Sequence, residues 1–286
     1  MKRYFPHLQI LLAGSLWGLI GLFNRNLTAG GLSASSIVAV RNIGGLIVLG
    51  LVLLVLDRSV FKIKLCHLPY FFGTGVISIL LFTLCYFSAQ QMCSLAVAAI
   101  LLYTAPAFVV VLSAILFHDR LTKRKLAALA LAFLGCTFAS GVWSGGLAVT
   151  GWGLVLGIAS GFFYGLYSIF GRYALAHYQP LTVTFYTFVF AGAGALFLLK
   201  PAELGSCLSH TSMLLLALGL VVISTVLPYI LYTRGLAKIE SGKASILASI
   251  EPVVAALVGV LAFGEPMGIM VVLGLVCILI SVYILR

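Results

Sequence analysis

Apolar stretches of about 20 residues, the length of a bilayer-crossing helix, follow one another along the chain. Short polar breaks separate them. They fall at 8–24, 33–56, 68–89, 94–117, 123–142, 150–171, 180–199, 211–233, 243–263 and 266–285. Each is continuous, whereas a membrane barrel strand alternates apolar and polar positions. Helices are the remaining way to satisfy every backbone group in lipid. The pattern therefore predicts an all-α polytopic membrane protein with ten transmembrane helices. The start, MKRYFPHLQILLAGSLWGL, has the basic front and apolar middle of a leader but no convincing small-residue cleavage site, and reads as an uncleaved first span.

The pattern also occurs twice. A shift of 146 positions carries Gly73 to Gly219, Ser78 to Ser224, Tyr86 to Tyr232, Ala98 to Ala244, Pro106 to Pro252 and Asp119 to Glu265. A shift of 147 carries Gly14 to Gly161, Trp17 to Tyr164, Gly18 to Gly165 and Arg25 to Arg172. The chain thus divides into repeats over 1–143 and 144–286, five spans each. An odd number of spans inserts the second repeat upside down relative to the first. Inverted repeats place a ligand site near the midplane and allow opening to either side.

Charge placement supports this topology. Only 8% of the 286 residues are charged and 63% are hydrophobic, against about 25% charged in soluble domains. With the N-terminus inside, Lys2, Arg3, Arg58, Lys62, Lys64, Arg120, Lys123, Arg124, Lys125, Arg172, Arg234, Lys238, Lys243 and Arg286 fall on the inner side, 14 of 17 basic residues. This bias predicts a multi-pass protein of the plasma (inner) membrane with both termini cytoplasmic. The net charge of +11 sits in short loops between apolar runs, which argues against nucleic-acid binding. The lipid bilayer and a small-molecule substrate are the expected partners, and a homodimer is an option the sequence leaves open. Cys66, Cys85, Cys93, Cys136, Cys207 and Cys277 form no CxxC pair, and the five histidines show no HExxH spacing, so no metal and no cofactor is expected.

The chain resembles the EamA family of the drug/metabolite transporter superfamily. The likeness rests on Leu16-Trp17-Gly18 in the first span, Arg41 in the second, Tyr103 to Pro106 in the fourth, and IEPVVAALVGVLAFGE from Ile250 to Glu265. It departs at His118-Asp119, where the family usually has Gly-Glu, and at Thr104-Ala105, which lacks the acid present at Ile250-Glu251. The resemblance implies transport of small organic metabolites, often export of amino acids or related compounds.

Features shared by the repeats read as scaffold, and polar features in one repeat only read as site candidates. Glu251 faces Ala105 across the symmetry and lies about 12 Å into its span at 1.5 Å per residue. A carboxylate at that depth is expensive. It is read either as a group for a cationic or zwitterionic substrate or a coupling proton, or as a brace for the Pro252 kink. Arg41 is likewise unmatched, standing near Phe190 in register. It is read either as a ligand for a carboxylate or partner of Glu251, or as a snorkelling anchor. Trp17, Tyr86, Tyr103, Tyr164, Tyr167, Tyr186, Tyr229 and Tyr232 form a candidate cavity lining able to hold a cation on ring faces; ordinary packing is the alternative for each. Gln90 and Gln91 read as loop, Asp119 and Glu265 as caps of the spans that follow, with Pro266 in the first turn of span ten. Arg25 reads as a boundary anchor. Gly153, Gly157, Gly161 and Gly165, with Gly14 and Gly18, read as packing seams. Pro106 and Pro252 are hinge candidates.

Gly242-Lys243 is no phosphate loop, because Ala237 and Ala244 stand where glycine and Ser or Thr are required. The expectation is a secondary transporter working by alternating access, not an enzyme, carrying amino-acid-like, amine or zwitterionic solutes, more in the sense of export. The alternatives are a lipid-linked sugar flippase of related fold and an uptake carrier for a quaternary amine.

Overall fold

A computed structural model describes residues 4–140, 142, 150–265 and 267–285. The repeat boundary at 143/144, Pro266, the terminal basic residues Lys2, Arg3 and Arg286, and the Cys207 side chain lie outside the described set. Every element formed by the described residues is a helix. The spans are α1 (Phe5–Gly18 with Ile20–Ala29), α2 (Ala34–Leu56), α3 (Leu65–Met92), α4 (Leu95–Leu102 with Ala105–Phe117), α5 (Lys123–Ala139), α6 (Gly151–Leu175), α7 (Pro180–Leu198), α8 (Thr211–Leu236), α9 (Ser241–Ala248 with Glu251–Phe263) and α10 (Ile269–Ile284). Eight are long and apolar enough to cross a membrane, and α5 and α10 are shorter at 17 and 16 residues.

Burial is inverted relative to a soluble protein. Phe197, Val55 and Leu261 stand 92%, 85% and 84% exposed, facing lipid, while Thr74, Ser113, Thr187, Ser224 and Thr233 are fully buried. Without a hydrophobic force between helices, association rests on close packing and on small and hydroxyl-bearing side chains. Thr187 Oγ1 donates to Thr74 Oγ1 at 2.7 Å, joining α7 to α3.

The repeats interdigitate. Helix α1 packs on α8 and α9, and α6 packs in the corresponding way on α3 and α4, while α2 pairs with α7 and α5 with α10. Under the 146-residue shift, the breaks in α4 and α9 correspond. Both are tight turns: Thr104 N–H donates to Leu101 O at 3.2 Å, and Ile250 N–H to Leu247 O at 3.3 Å. Pro106 and Pro252 occupy the first turn of the half-helix that follows each break, where a missing N–H removes no helical bond. A further pair of irregularities consists of π-helical stretches at Gly73–Leu80 in α3 and Val222–Val226 in α8.

The glycines of α1 and α6 seat on these breaks. A Cβ at Gly14 would lie 2.8 Å from Ala248 O and one at Gly18 2.7 Å from Glu251 O; at Gly161 it would lie 2.7 Å from Leu101 O and at Gly165 3.2 Å from Ala105 O. The seam is thus backbone against backbone, at the places where two helices are interrupted.

Asp119 and Glu265 do not cap the helices that follow them. Thr122 caps α5 by accepting from Lys125 N–H, and Gly268 precedes α10. The acids instead follow left-handed residues, His118 (φ 57°) and Gly264 (φ 66°), that end α4 and α9. Their N–H groups return to Ser113 O at 3.3 Å and Gly259 O at 3.1 Å, closing a seven-residue loop around a left-handed C-terminal turn. The turn aims each carboxylate at an arginine. Arg172 reaches Asp119 at 2.6 and 3.1 Å and lies 4.2 Å over Phe117. Arg25 pairs with Glu265 and lies 4.5 Å over Phe263. Turn, ion pair and ring are all duplicated, so Arg25 is more than a boundary anchor.

One ion pair has no such counterpart. Lys125, 1% exposed, donates to Glu240 at 2.7 Å and to Arg120 O at 2.8 Å, tying α5 to the start of α9. The corresponding positions in the other repeat are Val271 and Ser94.

Two stability predictions follow from this packing. Gly18→Ala lowers thermal stability in detergent by about 1–3 kcal/mol through overpacking, whereas Gly21→Ala, which meets nothing within 4 Å, leaves it unchanged or slightly raised. Glu240→Gln removes the carboxylate from a buried ammonium and destabilises by about 1–3 kcal/mol; the double variant Lys125→Met/Glu240→Gln recovers most of the loss. Equal melting of the glycine variants, or a double variant no better than the single, contradicts these assignments.

Candidate functional site

The break in α9 puts Glu251 at the first residue of the half-helix Glu251–Phe263, where the positive end of the helix dipole favours a carboxylate. Gly18 of α1 packs against its carbonyl from one side. The other side opens on a cavity of about 710 Å³. Among the described residues the Glu251 carboxyl makes no hydrogen bond or ion pair. The other five acidic residues lie at helix ends or in loops.

Arg41 enters the same cavity from α2. Its Nε donates to Thr225 Oγ1 at 3.2 Å, and Thr225 Oγ1 donates in turn to Leu220 O at 2.9 Å, across the π-helical stretch of α8. The hydroxyl thus fills the gap left by the irregular turn and fixes the guanidinium. Among the described residues no other partner takes the remaining guanidinium N–H groups, and these have the fork geometry that matches a carboxylate. Arg41 and Glu251 share the cavity but do not pair within 4.0 Å.

Tyr103, at the break of α4, and Tyr86 line the walls with Phe82, Phe87 and Ile37. The cavity opens where α1 ends and α2 begins, with exposed Arg25 and Thr28 at its rim. On that side the first half of α4 packs on α6 and the second half of α9 on both halves of α1, so the two diverge. On the other side the second half of α4 packs directly on the first half of α9, with Gly242 seated against Val110 and Ser113.

Trp17 forms the floor. It lines both the cavity and a second, small chamber of about 20 Å³, room for about one water. Its ring meets Tyr229 and Tyr232 at 5.3 Å and Tyr164 at 6.5 Å. Tyr167 packs on Tyr229 at 5.1 Å. Two hydroxyls below the floor are engaged, Tyr167 with Thr233 and Tyr232 with Ser168, each at 2.7 Å. The rings therefore divide into two groups. Trp17, Tyr86 and Tyr103 face the open cavity, and Tyr164, Tyr167, Tyr229 and Tyr232 build the closed layer beneath it.

Tyr186 belongs to neither group. Its hydroxyl donates to Phe61 O at 2.8 Å and its ring packs on Phe71, near the end of the spans. Its place in a helical pattern gave no sign of this, because α7 turns that face toward the 58–61 turn. Gln90, read as loop, lies in α3 and lines the cavity. Asn24, Thr83 and Thr28 also line it, and Asn24 Oδ1 is buried without a hydrogen-bond partner. The four-residue spacings Thr83 to Phe87 and Tyr86 to Gln90 put these four on one side of α3, a signal present in the sequence. No group of three metal-ligating side chains occurs among the described residues.

The cavity has two opposite charges held apart, aromatic and apolar walls between them, and amide and hydroxyl groups toward the mouth. Such a site suits a small solute carrying both a carboxylate and an amine.

Known proteins share this architecture. The sequence profile of the EamA-like transporter family matches residues 5–141 and again 151–286. An uncharacterized transporter of Archaeoglobus fulgidus is 33% identical over 200 residues, covering 70% of each chain. The threonine/homoserine exporter RhtA of Escherichia coli strain K12 is 31% identical over 117 residues, covering 40% of this chain and 38% of its own. A protein of known crystal structure superposes with a TM-score of 0.80 over 98% of this chain and 95% of its own at 19% identity, a likeness of fold. The duplicated match across a ten-span membrane chain places it in the EamA-like transporter family, as a multi-pass membrane transporter.

Proposed function

We propose that the chain is a secondary transporter exporting small amino-acid-like zwitterions across the plasma membrane by alternating access. The observation that carries this reading is the joint presence of Arg41 and Glu251, unpaired with each other, in one cavity at the α9 break. The substrate carboxylate takes the guanidinium fork and its ammonium takes Glu251, with Trp17, Tyr86 and Tyr103 as walls. The RhtA relatives, named as threonine/homoserine exporters, support both the solute class and the direction.

The charge count supports a cytoplasmic position for both termini, so the cavity faces outward here. The seal on the cytoplasmic side then consists of the Trp17 floor, the packing of α4 on α9 and the Lys125–Glu240 pair. Export requires the mirror arrangement, in which these contacts part and α4 and α9 close on the outer side. Pro106 and Pro252, at the two breaks, are where the half-helices pivot. Glu251 also serves as the carrier of a coupling proton, being the carboxyl at membrane depth.

Two measurements in proteoliposomes test this. Arg41→Gln raises the half-saturating concentration of a neutral amino acid about tenfold or more, while that of the corresponding decarboxylated amine stays within about two-fold. A parallel loss for both solutes removes Arg41 as the carboxylate site. Glu251→Gln yields folded protein in which an imposed proton gradient no longer drives exchange. Wild-type transport by this variant across the full pH range sinks the role of Glu251.

A further inference from the structure

A basic pocket lies at the far end of the spans from the cavity mouth, where the segment joining α2 to α3 folds against the end of α6. It measures about 320 Å³ and is lined by Lys62, Ile63, Lys64, His67, His177 and Tyr178. Neither Lys62 nor Lys64 has an ion-pair partner among the described residues. The nearby acid, Asp57, is committed to its own turn. Its Oδ1 accepts from Ser59 N at 3.0 Å and Ser59 Oγ at 2.6 Å, and its Oδ2 from Gln179 Nε2 at 3.2 Å. These bonds hold the Asp57 carboxyl below its usual range, the Ser59 side chain contributing most.

The histidines are fixed by neighbours. Tyr178 Oη accepts Lys64 N–H at 2.9 Å and meets His67 Nδ1 at 2.8 Å. Donating the hydroxyl proton to Nδ1 satisfies both groups and leaves His67 with its N–H on Nε2. His177 stacks on His67 at 4.3 Å, Tyr70 on His177 at 6.1 Å and Tyr173 on Tyr70 at 6.0 Å. This stack is a rigid wall beside two unpaired ammonium groups.

Apolar side chains continue outward from the segment. Val55, Leu56 and Leu65, at its two ends, are 85%, 76% and 79% exposed. A basic pocket with imidazole donors, beside a surface built to face hydrocarbon, matches an amphiphile with an anionic head and an acyl tail. We propose that this pocket binds the phosphodiester headgroup of an anionic phospholipid of the phosphatidylglycerol class. Lys62 and Lys64 neutralise the phosphate, the His67 Nε2–H donates to it, and the tails lie along Val55, Leu56 and Leu65. The site is separate from the transport cavity and does not depend on the substrate assigned there.

The test is thermal unfolding of delipidated protein in mixed micelles containing phosphatidylglycerol or phosphatidylcholine, or with inorganic phosphate alone. Each variant's shift is read against its own midpoint in phosphatidylcholine. Phosphatidylglycerol raises the midpoint where the other two do not. Lys62→Ala and Lys64→Ala each weaken its apparent affinity about five-fold, and Lys123→Ala/Arg124→Ala, at the start of α5, leaves it unchanged. A shift with phosphatidylcholine equal to that with phosphatidylglycerol, or none with either, overturns the proposal. So does an equal loss in the Lys123/Arg124 variant, which marks diffuse surface attraction, and so does full stabilisation by inorganic phosphate alone, which marks a soluble anion.

Discussion

Interrupting a helix at membrane depth is tolerated only where protein or a water-filled cavity meets the freed backbone. The fold accommodates a symmetry-matched pair of such interruptions, in α4 and α9, and most of what distinguishes the site follows from them. Tight four-residue turns satisfy part of the exposed backbone. Glycine faces of α1 and α6 cover one side of each break, at distances no side chain would permit. The remaining side of the α9 break borders the cavity. A carboxylate placed there gains the dipole of the half-helix it begins and stays accessible to solutes, which an unbroken helix surrounded by lipid would not allow.

Symmetry separates scaffold from chemistry. The breaks, the glycine seams, the left-handed turns before Asp119 and Glu265, and the Arg–acid–Phe clusters occur twice. They supply a frame that looks alike when inverted, as a carrier opening to either face requires. The charges facing the cavity break the symmetry: Glu251 has Ala105 as its counterpart, and Arg41 sits near Phe190 in register. Lys125–Glu240 breaks it as well, on the face that is closed. The symmetry-related positions, Val271 and Ser94, carry no charge, so this tie has no equivalent across the repeats.

Much of this was legible in the sequence. Ten spans and the duplicated landmarks follow from apolar run length and register, since lipid permits so few alternatives, and the family resemblance from the motifs at Leu16-Trp17-Gly18, Tyr103 to Pro106 and Ile250 to Glu265. The candidate residues were less evenly readable. Glu251 and Arg41 stood out because charge at depth is rare, and both do reach one cavity. The tyrosines could not be sorted by spacing: Tyr164 and Tyr167 lie three apart on one face of α6 yet build the layer beneath the floor, and Tyr186 supports a distant turn. Gln90 was overlooked because α3 extends two residues past it. Asp119 and Glu265 were misread because a left-handed residue, allowed at His118 as well as at Gly264, turns them back toward arginine instead of onward to the next helix. Side-chain direction at helix ends depends on such single dihedral angles, and an apolar pattern does not encode them.

The most direct measurement is the structure of the protein with a small neutral amino acid bound. The account places the solute in the cavity above Trp17, its carboxylate on the Arg41 guanidinium and its ammonium on Glu251. A solute bound elsewhere, or bound in that cavity with neither charge engaged, contradicts it.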